Sequence, residues 1–226
     1  EAIKLLTELP WKYRIPKTMG DHISDLALFC SEKWLRISQV DTMLEILRDQ
    51  MRSKNMPAMV KNVDFLQKLI KVYRHTRNSY ADDASTAFIR GLTEKLKTGE
   101  VSVVGLAVPV RYTGSETQLP FDEDIISNHW CSFIIDTNER TIHYGDSLGP
   151  PPPPELLDVL NWWLGLSFPT PFSLVELPIT QQADTFSCAV FAVNALSHYF
   201  LPSRFSLLPN GLCLPARVEA LVGAIN

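Results

Sequence analysis

Residues 181–191 read QQADTFSCAVF. A polar, loop-like run ends at Cys188, and an apolar run with helical character starts at the same residue. Two explanations compete for a thiol placed there. A lone cysteine is usually a small hydrophobe at the edge of a core. A thiol on the first turn of a helix is also set up as a nucleophile, because helix N-termini favour the thiolate and aim backbone N–H groups at developing negative charge. The run that follows carries Ala189, Val190, Phe191, Ala192, Val193, Ala195 and Leu196. Apolar nearly all round, a helix over Cys188–Phe200 is expected at the centre of the core.

Working outward, the first 99 residues read as mainly helical. Residues 1–33 are mixed, with a Trp11/Tyr13 pair and with Pro10 and Pro16 interrupting any long helix. The pattern predicts a helix from an N-cap at Ser38 to about Gln50, with Val40, Met43, Leu44 and Leu47 on its apolar side. A second is expected over Val60 to about Arg77, striped by Val63, Leu66, Ile70 and Tyr73. A third runs from Asp83 to about Lys97 and stops before Gly99.

Beyond Gly99 the periodicity shortens. Val101–Val110 is rich in β-branched residues, with Pro109 marking the end of its strand. Gly114–Asp124 reads as a polar loop. Trp130–Asp136 and Thr141–Asp146 form a predicted hairpin across the turn Thr137–Arg140. The proline run from Gly149 to Pro154 reads as a stiff surface loop. A helix near Glu155–Leu164, a strand near Phe172–Leu177 and a last helix near Pro215–Ile225 complete the chain. The expected class is α+β, one domain over 1–226: a helical portion (1–99), then a mixed or antiparallel sheet packed on a central buried helix (100–226).

Composition narrows the function classes. With 226 residues, 46% hydrophobic and 20% charged, the chain reads as an ordinary globular protein. No apolar run reaches the roughly 18 residues of a membrane span, and the first residues show no signal-peptide pattern. The cysteines at 30, 131, 188 and 213 form no C-x-x-C. That argues against a disulfide framework or a zinc module and for a reducing compartment. His129 and Cys131 share a strand face, but two ligands do not make a zinc site, so neither metal nor cofactor is expected. Residues 48–97 hold eleven of the twenty-one Lys and Arg, whereas residues 101–226 hold four against twelve acids. The basic stretch 48–77 is a weak nucleic-acid candidate; without interleaved aromatics, a solvated helix face is the preferred reading.

A thiol nucleophile needs a base, a group to orient that base, and donors for an oxyanion. There are five histidines. His75 lies in the basic helix, His198 is far along the Cys188 helix, His22 is in an irregular segment and His143 is mid-strand. His129 opens the first strand of the predicted hairpin and Asp146 closes the second. In an antiparallel pair those ends are neighbours, which puts the imidazole within reach of a carboxylate.

His129-Trp130, then Asp146-Ser147-Leu148, then Gln182-x(5)-Cys188 at a helix start resemble the ubiquitin-like-protein-specific cysteine proteases, a family that includes the SUMO (sentrin-specific) proteases. Lys33-Trp34-Leu35 ahead of a helix is similar to the family's W-L-x-D element. The resemblance implies a papain-like fold with His129 as general base, Asp146 as its orienter and Cys188 as nucleophile. Gln182 would donate to the oxyanion beside the Cys188 backbone N–H. Trp34 and Trp130 would cover the modifier's Gly-Gly tail, since a slot walled by flat rings admits glycine and excludes any Cβ. The chain departs from the family at Ser187-Cys188-Ala189, where Asp-Cys-Gly is usual. At two substrate-binding positions, Ile37 stands where the family carries an acid, and Asp184-Thr185 replaces Asn-Gly. The implied activity is a thiol protease or isopeptidase that matures ubiquitin or a SUMO-type modifier, or removes it from target lysines. Alternatives are an inactive modifier-binding module and an acyltransferase using the same triad. The implied partners are the modifier and its conjugates, bound by a monomer inside the cell, in the nucleus and/or cytoplasm. The acidic run Asp122–Asp124 would suit a basic modifier tail.

Overall fold

The computed structural model describes residues 4, 7, 8, 23–119 and 127–225. Trp11, Tyr13, Pro10, Pro16, His22 and Asp122–Asp124 lie outside them.

The N-terminal part contributes α1 (Ile23–Leu26), a 3₁₀ turn (Ala27–Cys30), α2 (Ile37–Arg52), β1 (Ala58–Val60), α3 (Val63–His75) and α4 (Ala87–Thr98). The remainder supplies β2 (Val103–Tyr112), β3 (Thr117–Gln118), β4 (His129–Asp136), β5 (Thr141–Asp146), α5 (Pro154–Gly165), β6 (Ser173–Glu176), α6 (Cys188–Phe200) and α7 (Cys213–Ile225). Together they form the α+β fold expected of the chain.

Strand β4 is the centre of the sheet, and all 8 of its residues are buried. The strand order is β1-β2-β4-β5-β6, with β3 added to β2. The two central pairings, β2 with β4 and β4 with β5, are antiparallel. The outer pairings are parallel, Ala58 opposite Val103 and Thr141 opposite Ser173, so the sheet is mixed. Helices explain this: α3 and α4 cross between β1 and β2, and α5 between β5 and β6, and a helical crossover returns the chain in the same direction.

Alternation along β4 splits the core in two. Trp130 and Ile134 face α2 and α6, among Leu44, Leu47, Val190 and Leu196. Cys131, Phe133 and Ile135 face α3 and α5, among Leu66, Leu69, Val159 and Trp163. On that second face Arg74 donates to both Glu155 oxygens, at 2.7 and 2.8 Å, fastening α3 to the start of α5. Arg48, Arg52 and Lys68 also pair with acids of their own helices. Among the described residues no helix is long and apolar enough to cross a membrane.

Several boundaries differ from expectation. Helix α2 starts at Ile37, not after Ser38, because the Gln39 side chain accepts the Arg36 N–H at 3.1 Å and donates to Asp25 O at 3.1 Å. Helix α3 starts later than Val60 because Ala58–Val60 is a strand. Its head is capped from elsewhere: the Asp41 carboxylate of α2 accepts the Val63 N–H at 2.8 Å. Residues Ala84–Thr86 form a 3₁₀ turn before α4, which ends at Gly99 with φ 73°. Helix α7 begins at Cys213 rather than Pro215. Pro109 lies within β2, opposite Trp130. It is tolerated because β1 pairs only with Val103–Gly105 and β3 only with Arg111 and Tyr112, leaving Pro109 between them without a ladder partner on that flank.

The tie from sheet to central helix is polar. Ser132 Oγ donates to Ala192 O at 2.7 Å, both fully buried. Ser132→Ala is expected to lower the unfolding free energy by about 1 kcal/mol. Urea unfolding checks this, and an unchanged midpoint would show that the bond contributes nothing.

Candidate active site

The loop ahead of α6 is shaped by Asp184. One carboxylate oxygen accepts the N–H groups of Phe186 and Ser187 at 2.9 and 2.8 Å, and the other accepts Ser187 Oγ at 2.6 Å. This is a side-chain-closed turn, which competes with helix and holds it off until Cys188. Cys188 is then the first residue of α6, with its backbone N–H among those lacking an intrahelical partner.

The hairpin supplies the facing groups. Its register sets Cys131 opposite Asp146. His129 lies two residues along on the same face, the diagonal position from which a long side chain reaches a cross-strand neighbour. His129 Nε2 meets Asp146 Oδ1 at 2.7 Å, with both side chains almost wholly buried. The Leu148 N–H donates to the same oxygen at 2.8 Å, and Tyr144 OH donates to Oδ2 at 3.0 Å. The carboxylate is fully engaged. Burial alone would push the imidazole down; the bond to Asp146, the hydrogen bond and charge of Cys188, and the Asp146 charge outweigh it and hold His129 at about 9. Nε2 is taken by Asp146, so Nδ1 is the nitrogen left for the sulfur. The Tyr112 ring lies 5.9 Å from the imidazole.

Two neighbours are kept neutral. Burial, with the charges of Cys131 and Asp146, pushes the Tyr144 hydroxyl far up, so it remains a donor. Burial and the Asp146 charge likewise push Cys131 well up, and its thiol points to Val108 O at 3.7 Å. All four cysteines are free.

Gln182 is held at several points. Its backbone N–H donates to Ser147 O at 2.8 Å, and its side-chain oxygen accepts Ser147 Oγ at 2.6 Å. Its amide nitrogen donates to Asp184 O at 2.8 Å. A carbonyl can only accept, which fixes the orientation of the amide, and a second hydrogen remains on that nitrogen. Asn210 grips the backbone on both sides, accepting the Ala183 N–H and donating to Gln181 O, each at 2.9 Å. The carboxylate of Asp184 is thus engaged within the loop.

Trp34 and Trp130 stack, with centroids 5.5 Å apart and planes at 26°. Trp130 is 0% exposed, and its indole N–H donates to Leu35 O at 3.0 Å. Trp34 is half-buried and forms the outward face of the pair. Ile37, on the first turn of α2, is 41% exposed. Among the described residues no group of three His, Cys, Asp or Glu is placed to hold a metal ion.

The structure therefore brings His129, Asp146 and Cys188 together and places Gln182 in the loop that leads to Cys188. Sequence reasoning missed Tyr144, although its i, i+2 relation to Asp146 on one strand face was legible. It had no signal for Asn210, which reaches the Gln181 and Ala183 backbone on either side of Gln182 only through tertiary folding.

A thiol, an imidazole and a carboxylate in one chain of contacts, at the head of a helix buried against a mixed sheet, define a cysteine-protease fold. Residues 33–210 match the Ulp1 protease family, C-terminal catalytic domain, and the chain belongs to that family. Among solved structures it is similar to the SUMO protease Ulp1 with its catalytic cysteine oxidized to a sulfonic acid, at 14% identity over 99% of this chain and 92% of that one, TM-score 0.68. It is also similar to the C-terminal Ulp1 protease domain in complex with SMT3, the yeast ortholog of SUMO, at 15% identity over 99% and 90%, TM-score 0.64. A third match is the Chaetomium thermophilum Ulp1-like SUMO protease catalytic domain, at 16% identity over 99% and 88%, TM-score 0.59. No curated protein sequence matches the chain.

The His129 geometry has a pH signature. A histidine whose folded pKa is raised from 6.5 to about 9 contributes its stability in full below 6.5 and loses it as pH rises through about 9. The stability difference between wild type and His129→Ala, measured by urea unfolding, is expected to be largest below about pH 6.5 and to shrink as pH rises through about 9. A difference that does not change with pH would contradict the assigned ion pairing.

Proposed function

We propose that the chain is a thiol protease and isopeptidase that cleaves after the C-terminal Gly-Gly of a SUMO-type ubiquitin-like modifier, maturing its precursor or freeing it from target lysines. One observation carries the reading: His129 is held between Asp146 and Cys188 at the head of a buried helix. Family membership and the likeness of fold to SUMO proteases support the class of substrate.

In this mechanism His129, raised to about 9, is protonated at neutral pH and faces the sulfur as an imidazolium, the environment that favours a thiolate. The sulfur attacks the carbonyl carbon of the terminal glycine. The oxyanion is met by the Cys188 backbone N–H and by the remaining amide hydrogen of Gln182, whose position Ser147, Asp184 and Asn210 fix in advance. His129 gives its proton to the leaving lysine amine, and a thioester remains. Water, deprotonated by His129, then attacks the thioester, releasing the glycine carboxylate and regenerating the thiolate. Trp34 forms the wall over the tail and Trp130 backs it. The reducing compartments of the nucleus and cytoplasm suit a site that works through a free thiol.

Tail-reactive probes, one per modifier, test substrate class directly: a SUMO-type probe is expected to label Cys188, and selective labelling by ubiquitin would reassign the modifier. Gln182→Ala is expected to slow turnover by about 10²–10³-fold. Equal turnover by wild type and Cys188→Ala would end the enzymatic reading.

A further inference from the structure

Arg217, on α7, is 0% exposed. Arginine is almost never fully buried unless paired. Among the described residues no carboxylate forms an ion pair with it. Two backbone carbonyls receive it instead: Nη2 donates to Leu28 O and to Lys33 O, each at 2.7 Å. The guanidinium carbon sits 5.8 Å from the centroid of the Phe186 ring. Its Nε and Nη1 are buried without a hydrogen-bond partner. Burial pulls its pKa down, while the charges of Asp184, Cys213, Cys188 and Cys30 work the other way.

Two of those contacts, Lys33 and Phe186, lead to different walls of the site. Lys33 is one peptide bond from Trp34. Phe186 is two residues before Cys188, and its N–H is one of those gathered by Asp184. Keeping a cation without an ion-pair partner in a dry interior is costly, and an apolar side chain of similar length would fill the space without that cost. A purely packing role would not account for a cation here. A geometric role does, since only a planar fork can hold two carbonyls at one end while its face lies over an aromatic ring. Arg217 also lies outside residues 33–210, the segment that matches the family.

We propose that Arg217 is a positioning residue that clamps the Trp34 segment to the Cys188 loop, setting the distance between the tail-covering wall and the nucleophile. The consequence for catalysis rests on the protease reading; the clamp itself does not. Substrate tail and sulfur are then registered by one side chain that touches neither.

Arg217→Met removes the carbonyl bonds and keeps the apolar stem, and Arg217→Lys retains a donor able to reach the carbonyls. In amide hydrogen exchange, Arg217→Met is expected to speed exchange about 10-fold or more both in residues 28–36 and in residues 184–190, with Arg217→Lys between it and wild type. On a modifier-tail substrate, kcat/KM per titratable Cys188 is expected to fall by up to about 10²-fold, as a misplacement of about 1 Å can produce. The fall should appear in both KM and kcat, because both walls move. Faster exchange confined to α7, or an unchanged kcat/KM per titratable thiol in an active wild type, would overturn the proposal. If Arg217→Met does not fold, Arg217→Lys carries the same comparison: wild-type exchange in both segments together with less than half the wild-type kcat/KM would overturn it. If wild type cleaves no modifier substrate while Arg217→Met loosens both segments, the clamp stands and the protease reading fails.

Discussion

Strand register is the constraint from which the site follows. Because Cys131 pairs with Asp146, His129 falls on the diagonal of the same sheet face, and its ring reaches the carboxylate at 2.7 Å. A slip of one residue would send His129 to the opposite face and part the pair. The register is secured where slippage costs most: β4 is buried on both faces, and Trp130, Phe133 and Ile134 each have a fitted place in one half of the core. Hydrophobic burial thus fixes a polar contact. Tyr144 and Leu148 then saturate the carboxylate, which leaves the imidazole a single arrangement.

The other half of the site depends on a helix that starts abruptly. Helix α6 is apolar on nearly every side and must be buried along its length, yet its first residue has to face the hairpin. Asp184 reconciles these demands by closing a turn on Phe186 and Ser187 so that helix begins at Cys188. The departure from the family's Asn-Gly at 184–185 therefore brings a carboxylate that organises the loop through its own backbone. Asn210 and Ser147 do the same for Gln182. These bonds hold the Gln182 amide in one orientation.

Much of this was legible in the chain because the signals are local. The strand Thr141–Asp146 and the helix Cys188–Phe200 are found at the residues their apolar patterns indicate. What escaped was relational. Strands β1 and β6 are short outer strands, of 3 and 4 residues, whose direction is set by helical crossovers rather than by their own composition. Pro109 misled because a missing N–H ends a strand only where a partner needs it. The cap of α3 is Asp41 on a preceding helix, and the grips on Gln182 and on Lys33 come from Asn210 and Arg217. No periodicity encodes a side chain that meets backbone brought near only by the fold.

Cys131 and Cys188 show that two buried thiols near one carboxylate meet different surroundings according to their positions. Both are buried, and Cys131 is the direct cross-strand partner of Asp146. There the carboxylate works against it: burial and an adjacent negative charge both disfavour a thiolate, and the thiol settles onto the Val108 carbonyl. Cys188 meets the same carboxylate through an imidazole, which turns the negative charge of Asp146 into a positive one facing the sulfur. It also sits at a helix head, where backbone N–H groups are available. An imidazole stands between acid and thiol for one cysteine and not for the other.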